Sequence, residues 1–293
     1  MNKNMNHFYP NYFTYPAIAV FILFFGIPVA AGFILSFTDW NINRIFAPAF
    51  SGISNFVYLF QDEYFLLALR NTFQFAIVTT VLIILIGLIL AMILNELLFG
   101  KSFFRTLFYL PAVLSLIVVG IVFTSVFKMN GGVLNQVLTA LHLEAYTRDW
   151  LGAPETALKC VIFIQIWKWS GFAMAIFLAG LQGISKDYYE AARIDGATKW
   201  QQFKNITFPL LAPAFTVVVT MNTIGGFKVF EQVYVMTGGG PGNATQVLGT
   251  YIYKEFSKGT LGRSTAMGLV LFILISIISV ILNKALRKRE VEM

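Results

Sequence analysis

Three groups of polar and aromatic residues lie within or beside the apolar segments of this chain. In the first group, Phe227, Lys228, Glu231 and Gln232 combine an aromatic ring, two charges and an amide. Ionisable side chains inside a membrane are costly and usually face a wet cavity or the interior of a helix bundle. Aromatic faces with a few hydrogen-bonding groups suit a sugar. The group therefore predicts a path for a polar solute, with Lys228 and Glu231 close enough on one helix face to pair.

The second group offers Gln165, Trp167, Lys168, Trp169 and Phe172 within one apolar segment. Trp169 and Phe172 are three residues apart, so a helix places them on one face. Both groups have a simpler interpretation, which stays open. Tryptophan collects at membrane interfaces, and charges near the end of a span can extend to the interface or contact a docked protein.

The third group, residues 187–210, predicts a short amphipathic helix, a break and a second helix. Ser185 or Asp187 is a suitable cap for the first helix, and Gly196 allows the chain to turn. Trp200, Phe203 and Ile206 recur at roughly helical spacing and form an apolar face. Pro209 begins the next apolar segment, where a missing N–H is harmless.

Two interpretations of this third group remain from the residues alone. One is a helix that lies among lipid headgroups. The other is a docking helix, because the small side chains of Ala191 and Ala192 let another protein approach closely.

The composition requires a membrane protein. Of the 293 residues, 57% are hydrophobic and only 12% are charged, against about 25% charged in ordinary soluble domains. This excludes a soluble enzyme and a disordered chain, and one cysteine, Cys160, excludes a disulfide scaffold. The net charge of +7 fits loops that face an anionic leaflet, and no nucleic-acid partner is predicted.

The sequence contains no complete catalytic or nucleotide-binding motif. Gly100-Lys101-Ser102 resembles the end of a phosphate-binding loop, but the earlier glycine is replaced by Asn95. The glycine-rich run 238–242 predicts a turn. His7 and His142 assemble no metal site or catalytic triad. The chain is therefore expected to be no enzyme and to bind no metal or cofactor.

Six apolar segments are long enough to predict membrane-spanning helices, at residues 14–37, 72–94, 107–127, 158–181, 209–233 and 264–286. The first exceeds the 7–15 residues of a signal-peptide core, which favours a retained helix over a cleaved leader. Lysine and arginine are more numerous in the two tails and in the loops after the second and fourth segments than in the opposite loops. The positive-inside rule therefore places both termini in the cytoplasm.

The organisation that follows is an all-α membrane protein in three parts. Residues 1–71 hold the N-terminal tail, the first transmembrane helix and the first outer loop. Residues 72–286 form a core with five transmembrane helices and a cytoplasmic loop at 185–208, and residues 287–293 form a basic cytoplasmic tail. The long outer loops at 38–71, 128–157 and 234–263 are expected to hold short structure or to bind something.

The third group also resembles the EAA loop of ATP-binding cassette importer permeases. The matching positions are Glu190, Ala191, Ala192, Asp195, Gly196, Ala197, Phe203, Ile206, Pro209 and Leu210. Residues 100–111, 235–245 and 36–40 are similar to the carbohydrate-uptake branch of that family. The resemblance covers about residues 12–286.

The resemblance implies a type I importer permease in a bacterial or archaeal plasma membrane. It implies that Tyr189, together with the matching positions from Glu190 to Pro209, couples the chain to an ATPase. It further implies a second, homologous permease subunit, two cytoplasmic ATPase subunits that bind ATP and magnesium, and an extracellular or periplasmic solute-binding protein. The cargo implied is a di- or oligosaccharide.

Other functions stay open beside this one. The cargo could instead be glycerol phosphate or another small polar solute. A secondary transporter or channel that needs no ATP would require ion relays, and the spans hold few carboxylates. A membrane scaffold without a substrate is the third class.

Overall fold

The computed structural model describes residues 11–96 and 99–288. Lys3 and His7 of the predicted cytoplasmic N-terminal tail, and residues 289–293 of the predicted basic tail, lie outside the described residues. The described part of the chain is helical, with one isolated antiparallel bridge between Thr38 and Phe50. The prediction of an all-α protein is thus confirmed for these residues.

In chain order, the α-helices of the described residues are α1 (Tyr15–Phe21), α2 (Ile27–Leu35), α3 (Ser54–Gln61), α4 (Glu63–Glu96), α5 (Lys101–Val113), α6 (Leu116–Val126), α7 (Val133–Ala140), α8 (Pro154–Gly183), α9 (Lys186–Ile194), α10 (Lys199–Gln202), α11 (Phe208–Leu210), α12 (Ala212–Phe227), α13 (Glu231–Thr237), α14 (Leu248–Ser257) and α15 (Leu261–Arg287). Short 3-10 helices occur at Asn11–Thr14, Ile42–Arg44 and Glu144–Tyr146, and π-helical turns at Ile22–Gly26 and Phe203–Thr207.

Four helical segments among the described residues are long and apolar enough to cross a membrane: Tyr12–Leu35, α4, α8 and α15. Two bent pairs, α5 with α6 and Lys199–Leu210 with α12, raise the number to six if each pair is one span. The helix predicted to begin at residue 72 begins at Glu63 instead. Part of the predicted outer loop 38–71 is therefore helical, since α3 and the first turns of α4 lie within it.

The third predicted span is not one straight helix, and the prediction of a continuous helix over 107–127 was wrong. α5 and α6 meet at an angle of 94°. Leu114 and Ser115 between them have extended backbone, with ψ of 145° and 133°. Pro111 removes an N–H from the last turn of α5, which favours a break there.

The fifth predicted span, 209–233, is also interrupted, and its prediction as one helix was wrong. Lys199–Leu210 and α12 are bent by 66° around Leu211, beside a π-helical turn. A second interruption follows Phe227, where α12 ends, and Phe230 leaves helical backbone with φ of −145°. Lys228 and Glu231 therefore do not share one helix.

The chain divides into two compact units. One contains the described residues up to Asp62 together with Ile252–Phe272, and the other contains Glu63–Tyr251 together with the described residues from Ile273. In the second unit, α4, α5 and α12 pack against α8, and α6 packs against α13. Gly87 lets α4 approach α8 closely, because a Cβ there would lie 2.7 Å from the Cβ of Ala173.

The first unit is organised by polar contacts to the backbone. The Asn55 amide nitrogen donates to the carbonyl oxygens of Ser36 and Thr38, each at 2.8 Å. The Ser51 N–H donates to the Phe37 carbonyl at 2.9 Å. These bonds fix the chain that follows α2 against the start of α3.

Candidate functional site

The loop between α8 and α12 begins with a capped helix, α9. The Ser185 hydroxyl oxygen accepts a hydrogen bond from the Asp187 N–H at 3.3 Å. Asp187 in the first turn and Arg193 in the last complement the helix dipole. Of the two caps that the sequence allowed, the structure uses Ser185.

The end of α9 is a Schellman motif centred on Gly196. The Ala197 N–H donates to the Ala192 carbonyl at 2.8 Å, and the Gly196 N–H donates to the Arg193 carbonyl at 3.1 Å. Gly196 has φ of +76°, a left-handed conformation that glycine adopts without strain. The turn predicted at Gly196 is confirmed, and it reverses the chain after Asp195.

A capping box starts the second helix of the loop. The Thr198 hydroxyl accepts from the Gln201 N–H at 3.3 Å, and the Gln201 side-chain oxygen accepts from the Thr198 N–H at 2.7 Å. Trp200 and Phe203 stack with ring centroids 5.6 Å apart. The predicted helix–break–helix is therefore present, and its second half consists of α10 followed by a π-helical turn.

One side of the loop is anchored to the core. The Tyr189 hydroxyl lies 2.9 Å from the Thr207 hydroxyl, which joins the two helices of the loop. Tyr189, Phe203 and Ile206 pack against the buried cluster that includes Leu181 at the end of α8. The loop is therefore packed directly against the end of α8.

The other side of the loop is exposed. Glu190, Ala191, Asp195 and Gly196 are exposed, whereas Ala192, Ala197 and Pro209 are half-buried. Ile194 is 87% exposed and Trp200 is 69% exposed. Apolar side chains displayed on a polar loop are typical of a surface that contacts another protein or the membrane.

A cavity of about 830 Å³ lies beside this loop. Glu96 of α4, Lys186 and Glu190 of α9 and Trp200 of α10 contribute to its lining. The Lys199–Glu96 ion pair across it measures 3.9 Å between highly exposed side chains, so it contributes only about 0–1 kcal/mol. Apolar packing, rather than this pair, therefore positions the loop.

Lys168 lies at the break in the third predicted span and not in an open path. Its side chain is 2% exposed, and its ammonium group donates to the carbonyl oxygens of Pro111, Ala112 and Leu114. These carbonyls are at the end of α5, where the helical hydrogen bonding stops. The Pro111 carbonyl also accepts from the Leu114 N–H, at 3.3 Å. A cation at a helix C-terminus is favourable, so Lys168 stabilises the bend.

The first group, which contains Phe227, Lys228, Glu231 and Gln232, does not lie on one helix because α12 ends at Phe227. Lys228 and Glu231 are exposed, and no ion pair joins them. Phe227 is buried, and its ring meets the ring of Phe73 edge-on with centroids 5.0 Å apart. The predicted pairing was wrong because the helix on which it depended ends at Phe227.

Gln232 differs from its neighbours because it is buried, at 2% exposure, and its side-chain oxygen and nitrogen have no hydrogen-bond partner in the described structure. An unpaired buried amide costs about 1–3 kcal/mol. The hydroxyls of Thr80 and Thr220, which the sequence did not single out, are also buried without a partner. A threonine hydroxyl in a helix usually donates to the carbonyl four residues earlier, so only the structure shows that these two hydroxyls are unpaired.

The aromatic pair predicted in the fourth span is present. Trp169 and Phe172 meet edge-on with centroids 5.8 Å apart, and Tyr109 of α5 lies 6.4 Å from Phe172. The Lys168 ammonium lies 5.5 Å from the centre of the Trp169 ring. The aromatic cluster therefore adjoins the bend that Lys168 stabilises.

Sequence reasoning also missed Asn71. Its amide nitrogen donates to the carbonyls of Ala244 and Gln246, each at 2.9 Å. This places the residues that follow the predicted turn 238–242 against α4. Gly238, Gly239 and Gly242 have positive φ, as that turn requires. In the part of the chain that the structure describes, no cluster of three His, Cys, Asp or Glu side chains is arranged to hold a metal ion.

Comparison with known proteins places these features in a family. Residues 83–291 match the binding-protein-dependent transport system inner membrane component family. The probable ABC transporter permease protein YurN of Bacillus subtilis (strain 168) is 40% identical over 276 residues, which is 92% of this chain and 93% of that protein. The probable starch degradation products transport system permease protein AmyD of Thermoanaerobacterium thermosulfurigenes is 36% identical over 96% of this chain and 94% of its own.

A solved structure has the same fold. A chain of a bacterial alginate ABC transporter, crystallised with an alginate pentasaccharide-bound periplasmic protein, superposes with a TM-score of 0.82. It is 26% identical and covers 94% of this chain and 93% of its own length. The similarity therefore extends over most of both chains.

Proposed function

We propose that this chain, which belongs to the family of binding-protein-dependent transport system inner membrane components, is the permease subunit of an ATP-driven sugar importer. The cargo is a di- or oligosaccharide. AmyD, from a system for starch degradation products, and the alginate transporter both support a carbohydrate. ATP and magnesium bind to a partner ATPase, and this chain is not an enzyme.

The observation that carries the proposal is the two-sided loop around α9. One side is fixed to the core through Tyr189, Phe203 and Ile206, and the other exposes Glu190 and Ala191. A segment that transmits force between two proteins needs a face for its partner and a rigid connection to its own helices. The loop has both properties.

The coupling residues divide accordingly. Glu190, Ala191, Asp195 and Gly196 contact the ATPase, because they are exposed. Ala192, Ala197 and Pro209 keep the loop compact, because Ala192 and Ala197 are joined by the Schellman hydrogen bond and Pro209 lies in α11. Closure of the ATPases on ATP moves α9, and the packing of Tyr189 carries that movement to α8.

The arrangement in the membrane follows from the same proposal. Each bent pair acts as one span, which gives six spans with both termini in the cytoplasm. The chain is a multi-pass protein of a bacterial or archaeal plasma membrane. It pairs with a second, homologous permease subunit, binds two ATPase subunits on the cytoplasmic side and receives cargo from a solute-binding protein on the outer side.

Candidate residues of the sugar path are Trp169, Phe172, Phe227, Lys228, Glu231 and Gln232. Gln232 has the strongest support, because a buried amide without a partner is available for a sugar hydroxyl. Trp169 and Phe172 supply aromatic surface. Lys228 and Glu231 are exposed charges beside the buried Phe227, at the interruption of the fifth predicted span.

Reconstitution tests this function. The permease pair with its ATPases is placed in liposomes, with ATP inside and the loaded binding protein with labelled maltooligosaccharide outside. Accumulation that needs both ATP and the binding protein is expected. Equal accumulation without the ATPase subunits would contradict the proposal and favour a secondary transporter. ATP hydrolysis that never responds to sugar and binding protein would favour a scaffold.

A further inference from the structure

A small polar cavity lies within the unit that contains Ile252–Phe272 and the described residues up to Asp62. Its volume is about 310 Å³. Its lining includes Asp39, Trp40, Asn41, Ser54, Thr260 and Arg263. These residues are separate from the coupling loop and from the candidate sugar path.

The frame of the cavity is fixed by backbone hydrogen bonds. The Gly262 N–H donates to the Trp40 carbonyl at 2.7 Å, and the Ile42 N–H donates to the Gly259 carbonyl at 3.0 Å. Gly262 lies so close to the Thr38 carbonyl that a Cβ would overlap it. The cavity is therefore formed before any ligand arrives, which lowers the entropic cost of binding.

Arg263 is held in the cavity without a counter-ion. Its guanidinium carbon lies 3.6 Å from the centre of the Tyr58 ring, so the planar group stacks on the aromatic face. Among the described residues, no hydrogen bond or ion pair joins its side chain. The carboxylate of the lining, Asp39, is already engaged by Arg44 at 2.8 Å and by the Ala49 N–H at 2.6 Å.

The chemistry of this arrangement selects an oxyanion. A guanidinium presents paired N–H donors that match the two oxygens of a carboxylate. Stacking on Tyr58 fixes the plane of that fork, and the Ser54 hydroxyl at the same cavity adds a further donor. A lysine in the same place would supply charge without the paired geometry.

The surroundings favour a protein as the source of the carboxylate. The segment that leads to Ser54 displays Phe46 at 100% exposure, Phe50 at 81% and Ile53 at 65%. Large apolar side chains around an arginine anchor are characteristic of protein interfaces, where tyrosine and arginine are enriched. In the proposed orientation this segment lies outside the membrane, on the side that faces the solute-binding protein.

We infer that the Arg263 cavity receives an acidic side chain of the solute-binding protein and so fixes the position in which that protein docks. The inference rests on the proposed function, which supplies the partner. It adds the residue that recognises the partner and the chemistry of the contact.

The test uses the complete transporter in nanodiscs and the purified, sugar-loaded binding protein. The concentration of binding protein that gives half-maximal stimulation of ATP hydrolysis is measured for the natural chain, Arg263→Gln, Arg263→Lys and Arg70→Gln. Arg263→Gln should raise that concentration roughly tenfold or more, and Arg263→Lys should raise it less. Arg70→Gln is the matched control, because Arg70 is an exposed arginine that does not line the cavity, and it should leave the value unchanged. Gel filtration of each complex shows whether the variant assembles.

Cross-linking gives an independent result. A carbodiimide joins the amine introduced by Arg263→Lys directly to a carboxylate in contact with it, and mass spectrometry identifies the peptide. A cross-link between position 263 and an aspartate or glutamate of the binding protein is expected. If the binding protein stimulates the assembled Arg263→Gln complex at the same half-maximal concentration as the natural complex, the inference is overturned and the proposed function stays intact. Absence of stimulation for the natural complex would instead contradict the proposed function.

Two other occupants have their own outcomes. If Arg263→Gln changes the half-maximal concentration in nanodiscs that contain anionic lipid, but not in nanodiscs of phosphatidylcholine, the cavity is assigned to a lipid headgroup. If free galacturonate changes the half-maximal concentration, and the natural chain and Arg263→Gln otherwise have equal affinity for the binding protein, the cavity is assigned to a sugar acid. Either result would overturn the inference.

Discussion

The Lys168 ammonium group lies 2.9 Å from the carbonyl oxygen of Pro111, and this bond joins α8 to the end of α5. Two further carbonyls, those of Ala112 and Leu114, accept from the same group. A charge that looks like a transport residue in the sequence thus completes the hydrogen bonding of a broken helix. Unpaired backbone carbonyls are costly where water is absent, which explains why a lysine is buried at this position.

Replacing Lys168 by methionine should destabilise the permease. The variant removes the ammonium donor that the carbonyls of Pro111, Ala112 and Leu114 share. An acceptor left unpaired away from water costs about 1–3 kcal/mol. We expect a clear fall in the melting temperature of the purified complex. Lys159→Met is the matched control, because Lys159 is an exposed residue of the same helix, and it should leave the melting temperature unchanged. An equal melting temperature for Lys168→Met would show that the bend does not depend on this group.

A methyl group at Gly171 should separate α5 from α8. A Cβ at this position would overlap the carbonyl of Phe108, so one helix has to shift. Overpacking of this kind costs about 1–3 kcal/mol. Thermal unfolding of Gly171→Ala measures the effect, and Gly225→Ala is the control because its Cβ meets nothing within 4 Å. Equal stability of the two variants would contradict the close helix contact.

Substitution of Gly196 should uncouple transport from ATP hydrolysis. Gly196→Pro removes the N–H that bonds to Arg193 and forces φ to about −65°, whereas the native φ is +76°. The protein should still insert, because the loop is outside the spans, but sugar uptake per ATP should fall steeply. Gly183→Ala at the end of α8 is the control, since its Cβ meets nothing within 4 Å. Normal uptake by Gly196→Pro would argue against the coupling role of the loop.

Replacement of Gln232 separates stability from transport. Gln232→Met removes a buried amide that has no partner, so stability should stay equal or rise by up to about 1–3 kcal/mol. If the amide binds a sugar hydroxyl, uptake at low sugar concentration should fall nonetheless. Thermal unfolding and the dependence of uptake on sugar concentration are measured together. A variant with unchanged uptake would remove Gln232 from the proposed path.

The sequence predicts local features of this protein well, because short-range chemistry decides them. Ser185 caps α9, Gly196 ends it, and Trp169 meets Phe172 on one face, all as their spacing indicates. Apolar length also identifies the long helices, although α4 begins earlier than hydropathy alone suggests.

The breaks and the long-range contacts escape sequence analysis. Hydropathy does not distinguish a straight span from one that bends by 94°, since the apolar residues continue through the bend. The partners of Lys168 are more than fifty residues away, and Tyr189 meets Thr207 only because the loop folds back. Such contacts depend on tertiary packing, and no local pattern encodes them.

The most direct test of the coupling proposal uses Ala191, which is exposed on α9 and therefore tolerates a change without loss of the fold. Labelled sugar uptake into liposomes and ATP hydrolysis are measured together for transporters with Ala191→Glu and with Ala191→Ser as the control. We expect Ala191→Ser to transport normally, whereas Ala191→Glu should assemble in the membrane but lose ATP-driven uptake. Normal uptake by an assembled Ala191→Glu transporter would contradict the coupling proposal.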